Sequence, residues 1–188
     1  MLRPMCAAGE ANGRSKTAPL HFDMRIIGLD VSLRSTGYGV IERRTGRLLA
    51  VEFGLIRNTL KLAHSACLLT LQRDLAAALE RSKPDAAAVE GGFFFKNAKT
   101  AMILGEARGV VIATCAAAGA PVFEYAPRLV KQSLTGFGAA EKKQVAKMVI
   151  TILGLREEPP EDAADALALA ICHAQHLTGI AELRSKPI

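Results

Sequence analysis

Four carboxylates, Asp30, Glu90, Asp162 and Asp165, stand at places where an acid needs a reason. Asp30 closes the apolar run Arg25-Ile26-Ile27-Gly28-Leu29, and Glu90 closes Ala86-Ala87-Ala88-Val89. Both are strand ends of the kind where α/β sheets collect their chemistry. Asp162 and Asp165 lie three residues apart at the head of Ala166-Leu167-Ala168-Leu169-Ala170-Ile171, a helical stretch apolar on all sides. Both carboxylates therefore project from one face of a first turn that lies against the core. Acids gathered in this way repel one another and are costly to desolvate unless a cation accompanies them. Mg²⁺ is held by a few carboxylates together with water and substrate phosphates. A pair of such ions about 4 Å apart can clamp the attacking water and the leaving oxygen of a phosphodiester. The bland alternative is that Asp162 caps its helix and Asp30 begins a turn. For any one acid the two readings are evenly matched, and it is the set of four that favours a metal site.

A second group of residues suits a polyanion. Arg128, Lys131, Lys142, Lys143 and Lys147 put five positive charges between residues 128 and 147 against Glu141 alone. Such a cluster neutralises phosphates and makes binding fall with added salt; the competing reading, which composition alone slightly favours, is a solvated helix face. Phe93-Phe94-Phe95 follows Glu90 and two glycines. Either one ring stacks on an unpaired base or the rings pack beneath the loop. His173 and His176 lie about two turns beyond Asp165, too far to share an ion with it, and read as packing or surface residues.

The elements that must position these residues alternate in type. Arg25–Asp30, Thr36–Glu42 and Arg47–Arg57 read as antiparallel strands separated by turns. Leu62, Ala66, Leu69, Leu75 and Leu79 recur at helical spacing until Lys83-Pro84-Asp85, and Ala86–Glu90 is a buried strand. Lys96–Ala118 is helical and apolar on nearly every side, so it is expected to bury more than one face; Val122–Tyr125 makes a fifth strand. Helices over Pro127–Leu134, Lys142–Leu153 and Glu161–Leu177 complete an α/β domain with a mixed sheet of about five strands flanked by helices.

With 188 residues and 50% hydrophobic content, one domain over residues 24–178 is expected, between a disordered extension at 1–23 and a flexible tail at 179–188. The net charge of +6 permits a polyanionic partner without requiring one. Cys6, Cys67, Cys115 and Cys172 form no CxxC pair, which argues against a zinc site or a disulfide framework and for a reducing cytoplasm. Charges such as Glu106 and Arg108 interrupt every apolar run, so no membrane span is expected.

An ordered series of motifs resembles the RuvC-type Holliday junction resolvases, the crossover junction endodeoxyribonucleases. It runs from Met24 to about Gln175: Ile27-Gly28-Leu29-Asp30 with Thr36-Gly37-Tyr38-Gly39-Val40, Ala88-Val89-Glu90 with Phe93 and Lys96-Asn97-Ala98, and Gly105-Glu106-Ala107-Arg108-Gly109-Val110. It continues through Pro121–Ala126, Val130-Lys131-Gln132, Ala140–Val145 and Asp162-Ala163-Ala164-Asp165-Ala166-Leu167-Ala168. The resemblance implies a ribonuclease-H-like fold. It also implies a homodimer that nicks four-way DNA junctions symmetrically in recombination and repair, using two Mg²⁺ ions with Mn²⁺ able to substitute. A branch-migration helicase complex is implied by association.

On the family pattern Asp30, Glu90, Asp162 and Asp165 are the catalytic metal-binding acids. Phe93 is the junction-contacting aromatic, Lys131 and Lys142 are lysines near the active site, and Arg128 and Lys143 have weaker claims to DNA. Three positions depart from the pattern: Val31-Ser32 stand where Pro-Gly is usual, Glu106 stands where Gln is common, and Gly91-Gly92 precede Phe93. Two other readings stay open. One is a junction-binding protein with weakened catalysis, and the other is a ribonuclease-H-like nuclease acting on another branched, RNA or hybrid substrate. An actin-like ATPase would need a duplicated domain, for which 188 residues leave no room.

Overall fold

Residues 23–91, 97–177 and 186–188 are described in a computed structural model of the chain. The order of elements is β1 (Met24–Asp30), β2 (Ser35–Arg44), β3 (Arg47–Arg57), α1 (His64–Ser82), β4 (Ala86–Glu90), α2 (Ala98–Ala117), β5 (Val122–Tyr125), α3 (Pro127–Thr135), α4 (Lys142–Leu153) and α5 (Glu161–His176). The strands form one sheet in the order β3-β2-β1-β4-β5. The first three strands pair antiparallel, and β4 and β5 join in parallel beside β1. This is the mixed five-stranded sheet that the alternating patterns lead one to expect.

Alternation along the strands decides what lies on each face of the sheet. Ile26, Ile41 and Ala88 pack beneath α3, α4 and α5, with Leu167, Ile171 and Val149. Ile27, Leu29, Val40 and Val89 pack beneath α1 and α2, with Leu71, Leu75 and Val111. The parallel register pairs Leu29 with Val89, so Asp30 and Glu90, one residue further on, end neighbouring strands side by side.

Helix α5 lies on the sheet almost backbone to backbone. A Cβ added at Gly28 would fall onto the Ala166 carbonyl oxygen, and one at Gly37 onto the Asp162 carbonyl oxygen. Only glycine tolerates so close an approach. The N-terminal turn of α5, with its two aspartates, is thereby pressed against the end of β1.

Helix α2 differs from expectation. Only Ala107, Val111, Thr114 and Cys115 of its residues are buried, so among the described residues one narrow stripe of it is covered. Among the described residues it is also the one helix long and apolar enough, by length and composition, to cross a bilayer, against the expectation that Glu106 and Arg108 rule this out. Of the two interrupting charges, Glu106 stays exposed beside His64, whereas the Arg108 guanidinium turns into the protein, where it donates to the Glu90 carbonyl at 2.6 Å.

Candidate active site

Asp30 from β1, Glu90 from β4 and Asp165 from α5 line one small cavity of about 170 Å³, together with Lys131 from α3 and Lys142 from α4. Val130, Val145 and Leu169 form its apolar wall. Local sequence places each group. A capping box, in which the Glu141 backbone N–H donates to Gln144 Oε1 at 2.9 Å, starts α4 so that Lys142 is its first residue. Pro127 opens α3, and Gly136 closes it in the left-handed conformation.

The site's electrostatics call for a cation. Burial, with Asp165, Asp162 and Glu90 nearby, raises the Asp30 carboxyl to about 7, while Lys142 acts in the opposite direction. Burial also raises Glu90, as does Asp165, while Lys142, Arg108 and Lys131 hold it down. Lys142 Nζ donates to Asp165 Oδ2 at 3.0 Å and to Glu161 Oε1 at 3.1 Å, and these hydrogen bonds hold the ammonium well above the usual lysine range.

Among the described residues no three acid, imidazole or thiolate groups close into a ready-made metal cage. An open, all-oxygen set with a protonation-prone aspartate nonetheless fits a hard divalent ion that takes its remaining ligands from water and phosphate. It does not fit zinc, which takes nitrogen and sulfur ligands in a closed tetrahedron at structural sites.

Asp162 stands apart from the other three acids. It does not line the cavity; the Ser35 hydroxyl donates to its Oδ2, and it acts on Asp30 only through space. Nor does it cap α5, whose N-cap is Pro160 with no side-chain cap bond. The two turns meet because Gly37 lets the Asp162 backbone approach β2.

The departure at Val31-Ser32 is compensated locally. The Ser32 hydroxyl donates to the Ser35 carbonyl at 2.9 Å and accepts from its N–H at 3.1 Å, while the Thr36 hydroxyl donates to the Ser32 carbonyl at 2.6 Å. Val31 and Leu33 are buried on either side. Side-chain to backbone bonds of this kind pin a turn as proline and glycine otherwise would.

The remaining expected residues fall on two flanking surfaces or beyond the described chain. Arg128 and Lys131 line a shallow cleft with Gln132 and Phe137, an aromatic left 63% exposed between two glycines that the sequence reading passed over. Lys143 and Lys147 line another cleft, which reaches Asp165 and Glu161. Phe93, like Phe94 and Phe95, lies outside the described residues.

His173 is a core histidine. It shares a 2.7 Å hydrogen bond with the Tyr125 hydroxyl, and burial lowers it to about 4. His176 Nδ1 lies 2.7 Å from the Cys172 carbonyl, consistent with a packing role. Sequence reasoning missed Ser35, Arg108, Glu124 and Glu161, whose partners are remote in sequence. For Arg108, a charge within an apolar helix was the available signal.

The sequence model of crossover junction endodeoxyribonuclease RuvC matches residues 26–173. The crossover junction endodeoxyribonuclease RuvC of Syntrophomonas wolfei is 49% identical over 151 residues, covering 80% of this chain and 88% of that protein. Its counterpart in Pelotomaculum thermopropionicum is 46% identical over 164 residues, 87% of this chain and all (100%) of that one. Among solved structures, Thermus thermophilus RuvC in complex with a Holliday junction substrate superposes with a TM-score of 0.81 at 33% identity, covering 88% of this chain and 99% of the other. The yeast mitochondrial Holliday junction resolvase Ydc2, at 13% identity and a TM-score of 0.59 over 82% of this chain and 79% of its own, shares the fold.

Proposed function

The chain belongs to the RuvC family of crossover junction endodeoxyribonucleases, and on that footing we propose that Asp30, Glu90 and Asp165 hold its divalent ion, with Asp162 completing the acidic set. It is a structure-specific nuclease that resolves four-way DNA junctions, and it uses a divalent metal. The observation that carries the site assignment is the convergence of three acids from three elements on one cavity with two lysines. Mg²⁺ is the physiological ion, two are engaged during cleavage, and Mn²⁺ substitutes. Held by these carboxylates, a divalent ion would supply Lewis-acid polarisation of the phosphodiester and activation of the attacking water.

The chain's own groups do the rest. Asp30, Glu90 and Asp165 supply hard oxygen ligands. Lys131 and Lys142 meet the phosphates beside the scissile bond, Lys142 exchanging its carboxylate partners for phosphate oxygens as DNA arrives. Val130, Val145 and Leu169 keep bulk water from the back of the cavity. Arg128, Lys143 and the exposed Phe137 extend the contact along the backbone, and Phe93 stacks on an unpaired base at the crossover.

The working unit is a homodimer, since paired symmetric nicks suit a two-fold assembly. Helix α2 supports it: Ala101, Gly105, Gly109, Ala113 and Ala117, four residues apart, are all exposed, and nothing lies within 4 Å of a Cβ added at Gly105 or Gly109. A second copy can approach that stripe closely.

The test is Mg²⁺-dependent nicking of a synthetic four-way junction alongside duplex DNA and an RNA–DNA hybrid. Symmetric nicks in the junction alone, lost in Asp30→Asn and Asp165→Asn, are expected. Equal cleavage of all three substrates, or full activity in either variant, would contradict the reading.

A further inference from the structure

We propose that Arg108 is a positioning residue that aims Glu90 by clamping the peptide group that follows it. The Glu90–Gly91 peptide has two polar ends, and each has a partner on a different element. The Gly91 N–H donates to the Tyr125 carbonyl of β5 at 2.9 Å, and the Glu90 carbonyl accepts from Arg108 Nη1 of α2 at 2.6 Å. Among the described residues the sheet gives no further support beyond this peptide, because β4 ends at Glu90 and β5 at Tyr125.

The residue that follows Glu90 is a glycine, whose backbone can rotate through conformations closed to other residues. With the carbonyl released, the end of β4 would lose one of the two anchors on this peptide group, and rotation about the Glu90 N–Cα bond would swing the side chain and the peptide group together. Arg108 removes that freedom.

The guanidinium is itself held in place. Its side chain is 13% exposed and forms an ion pair through Nη2 with Glu124 of β5. A Cβ added at Gly91 would come within 3.2 Å of Glu124 Cβ, so the same glutamate packs on the clamped peptide. A planar fork can address a carbonyl and a carboxylate at once, which a lysine ammonium on a flexible stem does less well. Because Arg108 lies one residue before Gly109 of the exposed small-residue stripe, the helix turn proposed to meet the second subunit is also the one that holds Glu90.

The proposal rests on Glu90 being a metal-holding acid, and the experiment separates the two claims. Arg108→Gln, Arg108→Lys, Glu124→Gln and Glu90→Gln are made in the full chain. Each is measured for thermal unfolding, Mn²⁺ binding by calorimetry without DNA, amide exchange at Gly91, junction affinity in chelator, and single-turnover nicking of saturating junction against Mg²⁺ concentration. Arg108→Gln is expected to weaken Mn²⁺ binding and raise the half-saturating Mg²⁺ about tenfold, to slow nicking roughly thirty-fold, and to speed Gly91 exchange, within the effect usual for groups that orient metal ligands. Junction affinity should change less than about twofold, since the guanidinium is turned inward to Glu90 and Glu124 rather than outward to where phosphates would lie. Arg108→Lys should recover part of the loss, and Glu124→Gln should show a smaller one.

Native metal affinity and nicking in a folded Arg108→Gln protein would overturn the clamp. Should that variant not fold, an unchanged Mg²⁺ requirement in Arg108→Lys would overturn it equally. Full nicking by Glu90→Gln would instead remove the premise, whatever the Arg108 variants do.

Discussion

Helices α5 and α2 cover opposite faces of the same sheet, yet they use their surfaces in opposite ways. Helix α5 buries eleven of its sixteen residues and lies against glycines of β1 and β2. Helix α2 buries four of twenty and leaves a small-residue stripe bare. Both are apolar. One spends that character on its own chain and so brings Asp165 to the cavity and Asp162 beside it, while the other leaves it exposed, where a second copy is proposed to meet it. Burial within the chain thus separates the helix that bears on the candidate site from the one proposed to meet a second copy.

Substitutions can break this contrast. The largest effect is expected at the acidic end of α5: Asp165→Asn should cut junction nicking about a thousandfold or more in a single-turnover assay while leaving the circular dichroism spectrum native, if the carboxylate is the charged ligand proposed for it. Next, Gly28→Val should destabilise the protein by about 3 kcal/mol, seen as a fall of roughly 10 °C in thermal unfolding, because the new side chain meets backbone that cannot yield. A native unfolding curve would show that α5 does not depend on that close approach.

The third effect is a pH dependence confined to the α5 side. Asp30 is raised from 3.8 to about 7, so the folded chain binds a proton more tightly than the unfolded one between those values. Its contribution to stability is fully present below about pH 4, is lost as pH rises to about 7, and stays absent above that. In metal-free buffer the melting temperature should fall over that window, and Asp30→Asn should flatten the slope; parallel profiles would contradict the assignment.

The smallest effect sharpens the α2 side. Gly109→Leu should leave the monomer fold intact, even gaining up to about 1 kcal/mol of helix propensity, yet weaken self-association about tenfold in sedimentation equilibrium. Unchanged association would place the dimer contact elsewhere.

Much of this layout was legible in the sequence, and the limits of that reading have physical causes. The five strands and the helix bounds follow from periodicity to within about two residues, because each element buries one face. That Asp30, Glu90 and Asp165 come to one cavity could be expected from acids set at the borders of apolar runs, where an acid has few structural uses. Asp162 was named with them, but the hydrogen bond that holds it apart was not foreseen, since its partner Ser35 is 127 residues away and reaches it only through the approach that Gly37 allows. Arg108 read as an interruption because composition records that a helix carries a charge, not where the side chain turns. The all-round apolar character of α2 was consistent with a second copy as well as with the core, because apolar periodicity predicts that a surface will be covered, not by which chain.

The side-by-side ending of β1 and β4 also bears on how the chain can change in length. Asp30 and Gly28 share one face of β1, and Glu90 and Ala88 share the corresponding face of β4, whereas Leu29 and Val89 are buried on the other. Because side chains alternate with a period of two, deleting or inserting a single residue within either strand would turn its acid toward the α1 and α2 layer. Two-residue changes would keep its direction but shift it along the strand. The core of these strands can therefore drift among apolar residues of similar volume, while their residue count is held to one value by chemistry at their ends.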